Sequence, residues 1–597
     1  MRKAETLLAI IRKRGERGLQ VEDVYRLLYQ KDLYIKAYGK LYSNSGAMTQ
    51  GITSETVDGM SLEKIDTIIN ALRYERYRWT PVKRIYIPKK SKNGKLRPLG
   101  LPVWSDKLLQ EVIRSILEAY YEPQFSNHSH GFRPKRGCHT ALREVMQKGK
   151  GTKWFIEGDI CACFDKIDHS ILLDIIKEKF PDNRFLRLIS MLLKAGYLED
   201  WKFNKTFSGV PQGSNLGPIF SNLVLDRLDK YIEQELIPAY TKGERRKTNP
   251  PYVRLTMQVS EARKRGDWEL ANKLHKQVQS MPSRDPYDPD FRRLWYVRYA
   301  DDSLLGLTGT KNEALEIKHK IAEFLNNQLK LELSADKTLI THAGSQKAKF
   351  LGYEVHVLHD NSKHDHRGQR CINSCIGLRV PATVKQEKCK RYMKGNKPIH
   401  LPQRIIDDAY SIVSQYQAEY RGVVQYYRMA YNLHTLNKLK YMMEVSLVKT
   451  LANKYKTTCT KIYRKYGTTI KTDEGDRKVI MVKRERKQNK PLIAYFGGVS
   501  LKWNKWVSIS EHNTEPIWSS RSELTERLKA QECELCGSNH KIEVHHIRKL
   551  SSLTRKGTVK SQWQKRMMAR NRKSLVVCQK CHGDIHYGKY DGRKLAA

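Results

Sequence analysis

The chain is short of acid. Its 597 residues hold 63 Asp and Glu against 110 Lys and Arg, a formal charge of +47. A deficit of that size argues for a polyanionic partner. Basic residues run along the whole sequence, which rules out a basic tail on an otherwise neutral enzyme. Long apolar runs are also missing. None approaches the roughly 18 residues that a bilayer requires, so no membrane crossing is expected. The opening MRKAETLLAIIRKRGERG has too short an apolar stretch, and too much charge after it, for a secretory signal. Cysteine is sparse, odd in number at 11, and uneven, which disfavours a disulfide framework. Seven are scattered through the first 500 residues and four fall in two CxxC pairs, which fits a reducing compartment with one metal site. Phe is scarce, 13 against 32 Tyr. Tyr stacks on bases and still reaches water, although half-buried Tyr in ordinary cores accounts for many of them. There is no internal repeat and no low-complexity tract.

What is present divides along the chain. Residues 1–80 read as helical, an N-terminal extension leading into a mixed strand and helix region from 81 to about 360. Within it, 238–290 is highly charged, Pro-bracketed and helical in its middle, the mark of an insertion. A polar linker runs over 361–400. Residues 401–470 have long helical periodicity, 471–530 are basic and Trp-containing and are expected to bind DNA, and 531–597 carry a Cys and His cluster.

Two acidic pairs ask for opposite explanations. Asp407 and Asp408 lie in LPQRIIDDAYSIVSQY, where helical spacing offers a solvated face. Asp301 and Asp302 lie in YVRYADDSLL, an apolar, β-prone stretch that reads as two strands meeting at a tight turn. Burying adjacent like charges costs several kcal/mol unless something positive answers them. WFIEGDI offers a second strand that ends on an acid, Asp159. Carboxylates brought to one sheet edge suit Mg²⁺. Two ions about 3.5–4 Å apart activate a 3′ hydroxyl and stabilise leaving pyrophosphate.

YADD at 299–302, Asp159 five residues before Phe164, and SGVPQGSNLGP at 208–218 resemble reverse transcriptase motifs in order and spacing. IPKKSKNGKLRPLGLP, HGFRPKRGCHTAL, LSADKT and KFLGYE resemble further blocks of group II intron-encoded proteins, and the resemblance covers most of the chain. It implies a multidomain α+β protein: a right-hand polymerase whose fingers and palm hold an antiparallel sheet, an α-helical thumb, and a C-terminal ββα-metal HNH domain. It implies that Asp159 and Asp301 ligate magnesium, with Asp302 catalytic beside them. Gln212 and Gly213 would line the template–nucleotide site. Lys90, Arg97 and Arg133 would hold the incoming deoxynucleoside triphosphate, with a solvated basic loop as the alternative. Lys337 would act near pyrophosphate, and Phe164 would set a bulky ring against the sugar C2′. Residues 416–467 resemble the thumb, or maturase, domain, with Arg421, Tyr426, Tyr427 and Arg428 as candidate RNA contacts.

At the C-terminus, Cys533, Cys536, Cys578 and Cys581 have the spacing of one tetrahedral structural zinc. HH at 545–546 ends a strand-like IEV, and His582 and His586 are one helical turn apart. This resembles an HNH endonuclease. The resemblance implies His546 as general base and His545, His582 and His586 as ligands of a single catalytic cation. Ser574 stands where the motif has its Asn, and the nearest Asn is Asn571. The histidines and cysteines between His356 and Cys375 fit no regular ligand spacing and read as linker.

The expected function is RNA-directed DNA polymerase, intron-splicing maturase and DNA endonuclease, serving intron mobility by target-primed reverse transcription. The partners would be group II intron RNA, target DNA and deoxynucleoside triphosphates, in the cytoplasm or nucleoid of a bacterium or in an organelle. Two other readings stay open at this point: an RNA-binding maturase with little polymerase activity, and a reverse transcriptase unconnected with introns.

Overall fold

The structure is a computed structural model that describes residues 3–44, 46–88, 96–199, 202–204, 206, 208–210, 213–366, 368, 370–486, 489–506, 523–550, 553, 561–570 and 572–590. Its centre is a four-stranded antiparallel sheet in the order Arg293–Tyr299, Asp302–Thr308, Trp154–Asp159, Ile340–His342. Alternate residues of these strands feed two different cores. Ile156, Leu294, Tyr296, Leu305 and Leu307 join one apolar cluster, while Phe155, Trp295, Val297 and Leu304 join another. A sheet covered on both faces explains why WYVRYADDSLLGL reads as nearly continuous apolar sequence rather than as alternation. The register sets Asp159 directly opposite Asp302.

Beside this palm lies a fingers sheet in which Val82–Pro88 pairs antiparallel with Leu96–Leu101. The helices Ala4–Glu16 and Lys31–Leu41 pack against the long helix Trp104–Tyr121. Gly15 makes that approach possible, because a Cβ there would sit 2.1 Å from the Tyr120 carbonyl oxygen. The charged stretch 238–290 contains a helical hairpin, Pro250–Lys264 and Trp268–Ser280. The second helix is capped by Asp267, whose side chain accepts from the Leu270 amide.

The thumb carries helices Ala409–Tyr426, Asn437–Lys454 and Cys459–Tyr466. Asp408 caps the first of these by accepting from the Ser411 amide at 2.7 Å and pairs with Arg484, so the second acidic pair sits at a helix start. A three-stranded sheet, Gly467–Thr472, Gly475–Arg486 and Asn489–Gly497, follows these helices. It packs on the helix Ala409–Tyr426, where Phe496 meets the buried Tyr416 and Tyr420. The strands Gly475–Arg486 and Asn489–Gly497, which fall in the basic stretch 471–530, therefore pack against the thumb helices.

The C-terminal hairpin Ile542–His546 and Ser574–Cys578 is followed by the helix Gln579–His586, a ββα unit. Its sheet gains a third strand from far upstream, Met60–Ser61, paired antiparallel to Val544 and Glu543. Leu524, Leu528, Val544 and Met567 share one apolar cluster with Tyr34, Tyr38, Met60 and Trp104. The C-terminal unit is thus docked on the N-terminal helices.

Candidate polymerase and endonuclease sites

The turn between the two central palm strands presents Asp301 and Asp302. Ala300 takes the left-handed region, φ +56°. Three contacts hold the turn from below. Arg298 donates from a guanidinium nitrogen to the Ala300 carbonyl at 2.9 Å and is clamped by Asp229 at 2.7 and 2.5 Å. The Tyr296 hydroxyl donates to the same Asp229 at 2.8 Å. The segment 128–131 runs alongside, with the Arg298 amide bonded to the His128 carbonyl and the His130 amide to the Arg298 carbonyl. A Cβ on Gly131 would lie 2.2 Å from the Ala300 nitrogen, which accounts for Gly in HGF. Arg298 is 1% exposed, and an ion pair this deep is tolerated because each charge is met by several bonds.

The electrostatics mark the site as one awaiting positive charge. Burial, and then the neighbouring Asp301 and Asp159, push Asp302 up to about 7. Burial, with Asp159 opposed by Lys337 and Arg97, also raises Asp301. Segment 332–338 lies beside Asp159: its Ser334 amide donates to the Asp159 carbonyl, and Lys337 Nζ sits 2.7 Å from the Asp159 carboxylate. The three aspartates do not form one of the sets whose ligand atoms all converge within 4.8 Å; among the described residues those two sets lie at the C-terminal unit, one of them with Asp58 from the N-terminal segment.

The first such set is Cys533, Cys536, Cys578 and Cys581. The Cys536 amide donates to Cys533 Sγ and the Cys581 amide to Cys578 Sγ, each at 3.5 Å. Cys578 also caps the N-terminus of the helix Gln579–His586. Burial and the other thiols drive the Cys581 thiol far up, a crowding that a shared cation relieves. The second set is His545, His582 and His586 with Asp58. Both ring nitrogens of the buried His545 make no hydrogen bond. Against the pull of burial, Asp58 and Glu543 raise His582 to about 9. His546 leaves this group. Neighbouring strand residues face opposite ways, and its ring lies against Tyr38 and Tyr42, with Nε2 2.9 Å from the Tyr38 hydroxyl.

Residues 87–355 match a family described as reverse transcriptase (RNA-dependent DNA polymerase), 379–504 a type II intron maturase family, and 533–582 an AI2M/AI1M-like HNH endonuclease family. The sequence is 38% identical over 587 residues to the group II intron-encoded protein LtrA of Lactococcus lactis subsp. cremoris, covering 94% of this chain and 95% of that one. The chain belongs to the group II intron-encoded proteins. As such it is an RNA-directed DNA polymerase with maturase and HNH endonuclease domains. It is also 32% identical over 583 residues to the putative COX1/OXI3 intron 1 protein of Saccharomyces cerevisiae, covering 94% of this chain and 68% of that one. YkfC of Escherichia coli is 29% identical over 384 residues, covering 63% of this chain and 90% of that one. An apo telomerase structure from Candida Tropicalis aligns with 50% of this chain and 55% of that one at 14% identity, with a TM-score of 0.30, too low to bear on the fold. Among the described residues no helix is long and apolar enough to cross a membrane.

In this group II intron-encoded protein the sequence-derived residues fare differently. Asp159, Asp301, Asp302 and Lys337 come together, and Arg97, on an exposed fingers strand, acts on Asp301. Phe164 is half-buried, edge-on to the exposed Phe132 with ring centres 6.1 Å apart. Gly213, at φ +110°, leaves no room for a Cβ, which would meet the Gly100 carbonyl oxygen at 2.3 Å; its close approach is to the fingers strand. Lys90, Gln212 and Asn571 lie outside the described residues. Arg133 differs from its expected place. It is buried, and its guanidinium is taken up by Glu122 and by the Ser126 and Ser129 carbonyls, so it ties the loop together and has no donors facing a phosphate. Tyr426 and Tyr427, expected on an RNA-facing surface, donate to the Leu351 and Gly352 carbonyls and bind thumb to palm. Arg421 is exposed and lines a cavity of about 430 Å³ with Gln417, Arg428 and Tyr495. The maturase match extends on both sides of the 401–470 region read from periodicity. Sequence reasoning passed over Arg298, although a lone Arg inside WYVRY was a signal of a buried partner.

Proposed function

We propose that this protein copies its intron RNA from the 3′ end of a nicked DNA target, using the three palm aspartates for nucleotidyl transfer and the C-terminal histidines for the nick. The observation that carries the polymerase half is the meeting of Asp159 and Asp302 across the strand register, beside Asp301 and Lys337, at a turn that Arg298 braces. Magnesium ions bound by Asp159 and Asp301 would activate the primer hydroxyl and neutralise the departing pyrophosphate. The primer 3′ hydroxyl gives up its proton to solvent, its oxygen bonds to the α-phosphorus, the bond from that phosphorus to the oxygen of the β-phosphate breaks, and pyrophosphate leaves. Lys337, already paired with Asp159, is placed to meet that charge, and Arg97 with Lys90 to meet the triphosphate. Gln212 and Gly213 belong to the template–nucleotide side, and Phe164 to the C2′ position of the sugar.

At the other end, His545, His582 and His586 hold the divalent cation of the nuclease and the four cysteines hold a structural zinc. His546 is the base. Burial pushes it down to about 4, so at neutral pH it is free imidazole. In the tautomer that donates Nε2–H to the Tyr38 hydroxyl, Nδ1 keeps the lone pair that would take a proton from water. The charge of +47 and the family's intron RNA argue for a ribonucleoprotein that meets target DNA. A bacterial cytoplasm or nucleoid is the setting that suits this.

The test is reconstitution of the protein with its intron RNA, a target duplex and deoxynucleoside triphosphates. We expect cDNA covalently continuous with the nicked strand. Nicking without attached cDNA, at saturating nucleotide, overturns the coupling.

A further inference from the structure

Asp58 is 488 residues from His546, yet it sits inside the histidine cluster. Its Oδ1 accepts from the His546 amide at 2.6 Å and lies 3.2 Å from His582 Nε2 and 3.5 Å from His545 Nδ1. Its Oδ2 lies 2.8 Å from His586 Nε2, which is 3.1 Å from His582 Nε2. Ligands about 2.0–2.2 Å from one ion stand roughly 3–3.5 Å from each other; the 3.1, 3.2 and 3.5 Å spacings fall in that range and the 2.8 Å one just below it.

The hydrogen bonding asks for a cation. Glu543 lies 2.7 Å from His582 Nδ1 and would hold, once a cation displaces the proton from Nε2, the tautomer whose Nε2 lone pair faces the centre. His545 reaches the same centre with no hydrogen bond at either nitrogen. A cation at that centre takes the place of the proton between His582 Nε2 and Asp58 and gives His545 the partner it lacks. Nor is Asp58 a passing surface group. The Gly59 amide donates to the Val544 carbonyl at 3.0 Å, and Met60 and Ser61 continue the nuclease sheet.

We propose that Asp58 is a ligand of the endonuclease cation, supplied by the N-terminal segment of the polymerase, so that the nuclease site is composite and complete only when the C-terminal unit is docked there. This rests on reading His545, His582 and His586 as cation ligands. It makes cation retention by the nuclease dependent on a part of the chain that belongs to the polymerase, and so links competence to nick with the assembled state of the whole protein.

The experiment is Mn²⁺ titration of the full-length, zinc-loaded protein, followed by electron paramagnetic resonance, alongside nicking and primer extension. Asp58→Ala is expected to weaken one Mn²⁺ site by about 10–100-fold or more. Nicking should then need correspondingly more Mn²⁺, while primer extension is unchanged. Asp58→Asn keeps an acceptor for the His546 amide and should recover part of the affinity. Hydrogen exchange at the Gly59 amide, which donates to the Val544 carbonyl, reports whether the Met60–Ser61 strand stays paired, so that a loss of affinity in a still-docked Asn variant supports ligation. If both variants bind Mn²⁺ normally while His586→Ala does not, Asp58 is no ligand and the inference fails alone. If His586→Ala also binds normally, the reading of the histidines fails. Faster nicking by Asp58→Ala at unchanged Mn²⁺ affinity would make Asp58 a plug, which also overturns the inference.

Discussion

Replacing Asp302 by Asn should stabilise the magnesium-free protein while impairing polymerisation. In the folded chain Asp302 rises from its ordinary 3.8 to about 7, through burial first and then the charges of Asp301 and Asp159. At about 1.4 kcal/mol per pH unit this sets a ceiling of roughly 4 kcal/mol on the cost of holding the ionised carboxylate. Three carboxylates share that repulsion and Lys337 offsets some of it, so we expect a gain of about 2 kcal/mol for Asp302→Asn at pH 8. The sign follows from proton counting. Between 3.8 and about 7 the folded state holds a proton that the unfolded chain has released, so native stability falls as pH rises through this window. The stability is fully present below 3.8, and its loss is complete above about 7. Urea unfolding of native and Asn proteins in magnesium-free buffer, from pH 4 to pH 8, reads the difference directly. The two should converge at low pH and separate above neutrality, and added Mg²⁺ should close the gap by stabilising the native protein more. Equal stability at pH 8 without Mg²⁺ would refute the claim that the aspartates repel one another in the folded state.

Three further outcomes can be checked separately. Phe164→Val should raise ribonucleotide incorporation, since the half-buried ring is read as filling the space of a 2′ hydroxyl; unchanged discrimination in matched incorporation assays would return Phe164 to a packing role. Cys533→Ser should unfold the C-terminal unit and end nicking while primer extension survives, because folding energy from a metal is local; circular dichroism with both activities measured decides this, and an equal fall in extension would mean that docking on Tyr38, Met60 and Trp104 supports the polymerase itself. His546→Ala should cut nicking by about 10²–10⁴-fold even at saturating complex, with extension unchanged; normal nicking at saturation would remove His546 from the chemistry.

Much of this was legible in residues that carry chemistry at fixed spacing. YADD and GDI each read as a strand ending on an acid, and the register then put Asp159 against Asp302. The CxxC pairs read as one site and the sulfurs converge. What stayed hidden was long-range. Nothing in TVDGM points to a histidine cluster nearly 500 residues away, because a two-residue strand addition leaves no periodicity to detect. Arg133 and Tyr427 were misleading for the opposite reason. Basic and tyrosyl side chains in a nucleic-acid-binding protein suggest contacts outward, yet each here meets the bonding needs of a nearby loop. The strands over 467–497 were obscured by their charge, since one face of a sheet packed on a helix can be wholly polar.

The central claim is that Asp301 holds a catalytic metal for templated DNA synthesis, and Asp301→Ala tests it most directly. DNA-primed extension on the intron RNA should be assayed over a Mg²⁺ series, with intron RNA affinity measured in parallel. The account predicts that extension is abolished across the series while RNA binding is unchanged, because phosphate contacts elsewhere dominate affinity. Extension near the native rate, in a variant that still binds the RNA, would contradict it.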